Sequence, residues 1–317
     1  MLNFFKIAAN TFKESVREPI FAILLMCAVL LIGNFPFVAI FVFYDQVKLV
    51  VDSAMATTML FGLFAAVLCS SHTVSRELRD GTVLLLFSKP VFRWNFILAK
   101  IAGIMVASLL FVLVCNAVSV VALYIAIDPF RVDFKLYYFF LTLLVLGAVG
   151  GMAMNFARSS SFPAVMTLFL AVSMPLLALG TMLVKKAPPE IVLSDFLLAV
   201  TLLFFAVAAM ATLTVVFATR LDMVSNLCVS TVLFVLGLMS NYLFQPAADT
   251  FSPFAALIYA LVPNWQMFWL ADALAARKAI PLSYLGWAGL YVVLYIGLCS
   301  LWAVLVFQDK EIAKDTR

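Results

Sequence analysis

Charged residues and histidine are scarce in this sequence. Only 11% of its 317 residues are charged, one is histidine and 66% are hydrophobic, whereas soluble domains carry about 25% charged residues. A chain with so few polar side chains cannot cover its surface in water, so we expect lipid to be its main solvent. The single histidine, His72, also excludes a metal or haem site built from several histidines.

Paired cysteines are absent as well. The chain has five cysteines, and each stands alone in an apolar run without a CxxC spacing. This pattern favours small buried side chains in lipid-embedded helices over a metal site or a disulfide framework.

Motifs that would give the chain chemistry of its own are also missing. It has no GxSxG, HExxH or paired-carboxylate pattern for a membrane enzyme, and no GxxxxGK[S/T] phosphate loop with which to hydrolyse ATP. Its apolar segments hold essentially no ionisable side chains away from their ends, although ion-coupled carriers need such groups inside the bilayer. We therefore expect a non-enzymatic chain with no catalytic residues, no metal and no bound cofactor. The energy for any uphill transport has to come from a partner.

Long apolar runs dominate what remains. Eight of them reach the length of about 20 residues that a membrane-spanning helix needs. They lie at about 20–43, 54–73, 101–126, 137–157, 163–184, 196–218, 225–244 and 284–307. The sequence therefore predicts an all-α polytopic membrane protein that forms a single transmembrane domain over 1–317.

The basic residues orient these spans. With a cytoplasmic N-terminus, eight spans return the C-terminus to the same side, and only seven of the 20 basic residues lie outside. The positive-inside rule favours this arrangement, with both termini cytoplasmic. The pair Lys185 and Lys186, which falls outside, is a local exception.

Two segments are predicted to lie outside the spans. Residues 1–19 form an amphipathic elbow helix in the membrane interface, with Phe5, Ala8, Ala9, Phe12 and Val16 on its apolar face. The stretch 245–283 contains four prolines and an apolar run too short to cross, which favours an extracytoplasmic re-entrant region or interfacial helices. A short helix over NWQMFWLADALAARK follows there, and its tryptophans Trp265 and Trp269 suit the headgroup level.

Residues 150–172 are similar to residues 211–235. Each stretch has a span, a short polar turn after an aromatic–alanine pair, and a second span. The similarity fits either a duplicated hairpin inserted into a six-span core or coincidence among apolar runs, and the sequence does not decide between them.

A charged island lies in the loop 74–99, where residues 75–96 read SRELRDGTVLLLFSKPVFRWNF. Ser75 is expected to cap a short helix and Gly81 to end it. An ordinary positive-inside loop explains the basic residues, but it does not explain why Glu77 and Asp80 are mixed among them. A rigid polar knob of this kind suits a cytosolic motor that pushes on a spanning helix.

The island resembles the type-2 ABC transporter permeases. The likeness runs through Glu-x-x-x-Gly-Thr, a leucine-rich run, Ser-Lys-Pro-Val, an Arg, and a Lys that opens the next span. The stretches 6–21, 261–274 and 291–312 are similar to that family's elbow, pre-final segment and final helix, and the chain is close to the subgroup for nitrous-oxide-reductase maturation. The matching island residues are Glu77, Gly81, Thr82, Ser88, Lys89, Pro90, Val91, Arg93 and Lys100.

This resemblance implies the permease subunit of an ABC exporter in the bacterial inner (plasma) membrane. The implied partners are two ABC ATPase subunits that bind ATP and Mg, a second or homologous permease copy, and membrane lipids, with no nucleic acid. The family core has six spans, so the hairpin 137–184 is an extra pair. The implied ATPase-coupling residues are Ser75, Arg76, Glu77, Leu78, Arg79, Asp80, Gly81, Thr82, Lys89, Pro90 and Arg93.

A second function class stays open. A membrane scaffold could use the same docking helix to anchor a cytosolic ATPase, or to transmit force, without moving a solute. The apolar spans show no evident polar pathway that would exclude this alternative.

Overall fold

The computed structural model describes residues 2–41, 46–79, 92–128, 131–186, 192–243 and 262–315. The helices are α1 (Leu2–Arg17), α2 (Pro19–Ala39), α3 (Gln46–Ser70), α4 (Arg76–Arg79), α5 (Arg93–Ile125), α6 (Phe134–Arg158), α7 (Phe162–Val184), α8 (Leu193–Ala218), α9 (Met223–Leu238), α10 (Ala271–Ala275) and α11 (Leu282–Asp315). A π-helical turn (Ser71–Ser75) joins α3 to α4, and a 3-10 turn (Trp265–Phe268) precedes α10. A short antiparallel pair, β1 (Ala126–Asp128) and β2 (Arg131–Val132), joins α5 to α6.

Seven of the described helices are long and apolar enough to cross a membrane: α2, α3, α5, α6, α7, α8 and α11. The chain is therefore an all-α, multi-pass membrane protein, as its composition predicts. The eighth predicted span, 225–244, corresponds to α9, which has 16 residues, or about 24 Å of helix. That is shorter than the hydrocarbon core of about 30 Å, although the chain is helical again at 240–243. The count of eight stays a prediction.

The helix α1 and the last described part of α11 lie at one end of the helical bundle, which we call the α1 end. The last part of α11 reaches this end, where Arg220 donates from Nη2 to the Val306 carbonyl at 2.9 Å. The rings of Phe96 and Phe307 also lie 6.1 Å apart there. The opposite end, which we call the far end, holds the strand pair and the starts of α6, α8 and α11.

The centre of the bundle consists of α3, α5 and α8. Between 67% and 72% of their most apolar windows is buried, against 28% in α6 and α11. Small residues allow the central helices to pack closely: a Cβ at Gly62 on α3 would lie 2.8 Å from the Cγ2 of Val207 on α8. The other faces of the bundle expose large apolar side chains such as Leu183 and Val293, as expected for helices whose solvent is lipid.

The predicted hairpin 137–184 corresponds to α6 and α7, which pack against each other on the outside of this core. Asp133 caps α6 by accepting a hydrogen bond from the Leu136 backbone N–H at 3.0 Å. It also pairs with Lys185, the residue after the end of α7. Lys185, one of the two lysines that are exceptions to the positive-inside rule, is thus paired with an acid at the same end of the hairpin.

The segment 262–281 differs from its prediction. Instead of one 15-residue helix it forms the 3-10 turn and the five-residue α10. Trp265 is 1% exposed, and a Cβ at Gly237 on α9 would lie 2.4 Å from its Cδ1. The glycine therefore opens a space for the indole inside the protein, and the depth of Trp265 in the membrane stays a prediction. The predicted re-entrant run itself falls largely within 244–261, outside the described residues.

Candidate functional site

The charged island begins as a direct continuation of α3. Residues Ser71–Ser75 form the π-helical turn, and Arg76–Arg79 form α4 without a break in the helical backbone. The prediction that Ser75 caps a separate helix is wrong: its hydroxyl instead donates to the Leu221 carbonyl at 3.1 Å. The helix stays continuous because a π turn, with its i→i+5 hydrogen bonds, holds one residue more than an α-helical turn.

Other island residues are placed only in part. Arg93 is the first residue of α5, and the structure describes the backbone, though not the side chains, of Leu78 and Arg79. The remaining coupling residues lie outside the described residues: Asp80, Gly81, Thr82, Lys89 and Pro90.

A buried asparagine anchors the π turn to the rest of the bundle. Asn226, near the start of α9, is fully buried. Its Nδ2 donates to the Ser71 hydroxyl at 3.0 Å and to the Thr214 carbonyl on α8 at 3.2 Å. The Ser230 hydroxyl donates to its Oδ1 at 3.1 Å. The end of α3 is therefore attached to both α8 and α9, and π turns of this kind often occur at functional sites.

Lys100 on α5 is the charged centre of the site. Its side chain is 3% exposed, and its Nζ donates to a Glu77 carboxylate oxygen at 2.7 Å. The same ammonium donates to the Thr73 carbonyl at 3.2 Å and lies 3.7 Å from a carboxylate oxygen of Glu14 on α1. A buried charge is tolerated only when it is paired and hydrogen-bonded. Lys100 thus holds α1, the π turn and α4 against α5.

His72 makes a second connection, between the island and Glu18, the residue that joins α1 to α2. Its Nε2 lies 3.0 Å from a carboxylate oxygen of Glu18 and 2.9 Å from Nη1 of Arg76. A neutral ring protonated at Nδ1 accepts from Arg76, whereas a ring protonated at Nε2 donates to Glu18. We call the six residues Glu14, Glu18, His72, Arg76, Glu77 and Lys100 the charged junction.

The close packing of α1 against α5 depends on a glycine. A Cβ at Gly103 would lie 2.6 Å from the Ala8 carbonyl oxygen and 2.7 Å from the Thr11 Cβ. The buried face of α1 includes Thr11, Ser15 and Val16. It agrees with the predicted apolar face at Val16 and at Phe12, which is partly buried and packs against the core. Phe5, predicted on that face, is 68% exposed, so the helix packs through small residues at its centre and leaves Phe5 outside.

Burial also affects the acid that α1 contributes. It raises the pKa of the Glu14 carboxyl above its ordinary value, while the neighbouring Lys100 ammonium acts in the opposite direction. Glu14 thus binds its proton more readily in the folded protein than in the unfolded chain.

The motif-based prediction of the island missed half of the charged junction. Glu14 and Glu18 carry a sequence signal, since they lie four residues apart in a segment whose other charged residues are basic. His72 lies three residues before the island and outside its motif. Asn226 stands alone in an apolar run, and it lies 155 residues from its partner Ser71. Only the fold therefore reveals their contact.

The described part of the chain contains no group of three or more histidine, cysteine, aspartate or glutamate residues that could hold a metal ion. In comparisons with known proteins, no family model matches the chain, and no curated protein matches it. The interpretation of the site therefore depends on its residues and their geometry.

Proposed function

We propose that the chain is the membrane-spanning permease subunit of an ATP-driven transporter of the type-2 ABC kind. A separate ATPase subunit would dock on the segment that begins at Arg76 and deliver the energy of ATP hydrolysis there. The observation that carries this proposal is the charged junction, in which Lys100 attaches the island to α1 and α5 through a buried ion pair with Glu77.

The geometry supports force transmission in two ways. First, α3 continues through the π turn into α4, so displacement of α4 would act along a helix at the centre of the bundle. Second, Asn226 and Ser75 attach the same turn to the α8–α9 connection. Charged groups suit such a docking surface because they select the partner and its register more than they raise the affinity.

The proposal includes a topology. The α1 end would face the cytoplasm of a bacterial cell, in its inner membrane, with two permease copies and two ATPases in the working complex. An even number of crossings agrees with the course of α9, which starts beside Ser71 at the α1 end. The chain that follows α9 reaches the level of Asn264, whose Nδ2 donates to the Asn241 side-chain oxygen at 2.6 Å.

The test uses the full chain reconstituted in vesicles with an ABC ATPase subunit that copurifies with it. We expect the chain to stimulate ATP hydrolysis, and Gly81→Trp to abolish the stimulation by blocking the docking segment. Glu77→Arg should have the same effect, because it places two cations beside each other at the junction. Lys278→Glu, an exposed change at the far end, is the matched control and should stimulate normally.

Stimulation that persists in both Gly81→Trp and Glu77→Arg would refute docking at this segment. An ATPase that docks normally, but whose ATP hydrolysis never responds to a solute, would instead favour the scaffold that transmits force without transport. In that case no solute would accumulate in the vesicles.

A further inference from the structure

A long apolar groove lies between α6 and α7 on the outside of the bundle. Its volume is about 640 Å³, and its walls include Phe139 and Leu143 of α6 and Phe169, Leu176 and Gly180 of α7. From Phe169 to Val184 the groove follows about 22 Å of helix. That exceeds the depth of one leaflet's hydrocarbon, about 15 Å, so an acyl chain can lie along it.

Basic side chains surround the far end of this groove. Lys185 belongs to its lining, and Lys186 follows it with an exposed side chain. On the other wall, Lys135 is exposed and lies one turn before Phe139, on the same face of α6. Both walls of the groove therefore end in lysine at the same end of the hairpin.

The acid nearest to these lysines is already engaged. Asp133 pairs with Lys185 and accepts from the Leu136 backbone. Burial alone would raise the pKa of its carboxyl, but these hydrogen bonds outweigh it and lower that pKa. Lys135 and Lys186, which are exposed and stand at the ends of the two walls, can therefore receive a further anion.

We propose that the α6–α7 groove is a binding site for an anionic phospholipid. One acyl chain lies against Phe139 and Phe169, and the headgroup phosphate lies between Lys135 and Lys186. An apolar groove alone would accept any lipid, but a groove that ends in cations on both walls selects a negative headgroup. This inference does not depend on the proposed transport function.

The experiment measures lipid binding to the purified full chain by native mass spectrometry. Phosphatidylglycerol and phosphatidylcholine with identical acyl chains are added separately to the detergent-solubilised protein. Each basic side chain near a lipid surface contributes about 1 kcal/mol, or about fivefold in affinity. We therefore expect about a 25-fold preference for phosphatidylglycerol, lost in the double variant Lys135→Gln/Lys186→Gln.

Two controls separate this site from general attraction. Arg277→Gln/Lys278→Gln removes another exposed basic pair of the far end and should keep the preference. Gly180→Phe fills the groove, since nothing lies within 4 Å of a Cβ there, and should weaken both lipids. Gly286→Phe, on α11 with the same free space, should weaken neither.

Three results would overturn the proposal. They are equal binding of the two lipids to the unmodified chain, an equal loss of preference in both basic-pair variants, and unchanged binding in Gly180→Phe. A groove occupied by a second copy of the chain would also overturn it, and would appear in the same spectra as a dimer that Gly180→Phe dissociates.

Discussion

Replacement of Lys100 by methionine tests the energetics of the charged junction. Methionine is close in length and apolar, so the change removes the ammonium while it largely keeps the packing. The carboxylate of Glu77 then loses its 2.7 Å partner, and Glu14 loses the cation 3.7 Å away. Loss of one partner from a fully buried pair costs about 3–5 kcal/mol.

The expected cost here is smaller because water reaches the acids. The side chains of Glu77 and Glu14 are 29% and 31% exposed, so the carboxylates keep part of their hydration. We therefore expect Lys100→Met to lower the free energy of unfolding by about 2 kcal/mol, which is below the cost of breaking a fully buried pair.

The assay is reversible unfolding of the full chain in mixed micelles of SDS and detergent, followed by tryptophan fluorescence. Lys278→Met, an exposed change, is the matched control and should stay within about 0.5 kcal/mol of the unmodified chain. Glu77→Gln should destabilise the chain, but in the Lys100→Met background it should recover about 1 kcal/mol, because no uncompensated carboxylate remains at that position.

Additive effects of Lys100→Met and Glu77→Gln would refute the reasoning, since they would show that the two side chains do not interact. A cost below about 0.5 kcal/mol for Lys100→Met would refute it equally, because a lysine that is 3% exposed cannot be neutral to stability if its pairing is what makes burial possible.

Two further changes test the packing of α1 against α5. Because burial raises the pKa of Glu14, its carboxyl holds a proton more tightly in the folded protein than in the unfolded chain. The stability that this proton gives the folded protein is present below the ordinary pKa of 4.5 and is lost as the pH rises through the raised pKa. Glu14→Gln should therefore stabilise the chain at pH 7, and unfolding measured down to pH 4 should show the gain disappear; a gain that does not vary with pH contradicts this. Gly103→Leu should destabilise by about 1–3 kcal/mol and expose α1 to proteolysis, because its Cβ would meet the Ala8 carbonyl at 2.6 Å, whereas Gly297→Leu has free space and should be near neutral.

Features of the fold that depend on composition could be predicted from the sequence. Apolar runs of sufficient length predict the long helices, because a spanning segment must satisfy its backbone hydrogen bonds internally whatever its neighbours are. The boundaries were less accurate: α3 begins at Gln46, and α5 at Arg93, each eight residues before the predicted start. Polar residues such as Lys100 therefore belong to these helices, where only tertiary pairing makes them tolerable.

Features that depend on distant contacts could not be predicted. Ser75 follows the pattern of a helix cap, but its hydroxyl bonds to Leu221, 146 residues away, and the backbone stays helical. Trp265 is of a residue type common at the membrane interface, but Gly237 leaves room for its indole inside the bundle. At Ser75 a capping preference worth about 1 kcal/mol yields to a contact that only the fold brings together.

The charged junction connects these observations to the proposed function. Of the helices it joins, α3 and α5 belong to the buried centre of the bundle, whereas the α6–α7 hairpin lies outside. The π turn is bonded to α8 and α9 through Asn226, and Arg220 in the connection between those helices donates to the Val306 carbonyl of α11. A displacement of α4 would therefore reach α1, α5, α8, α9 and α11 through polar contacts at one end. Because these contacts are directional and connect neighbouring helices, the α1 end would respond as a unit, which is the mechanical property that a subunit driven from outside the membrane requires.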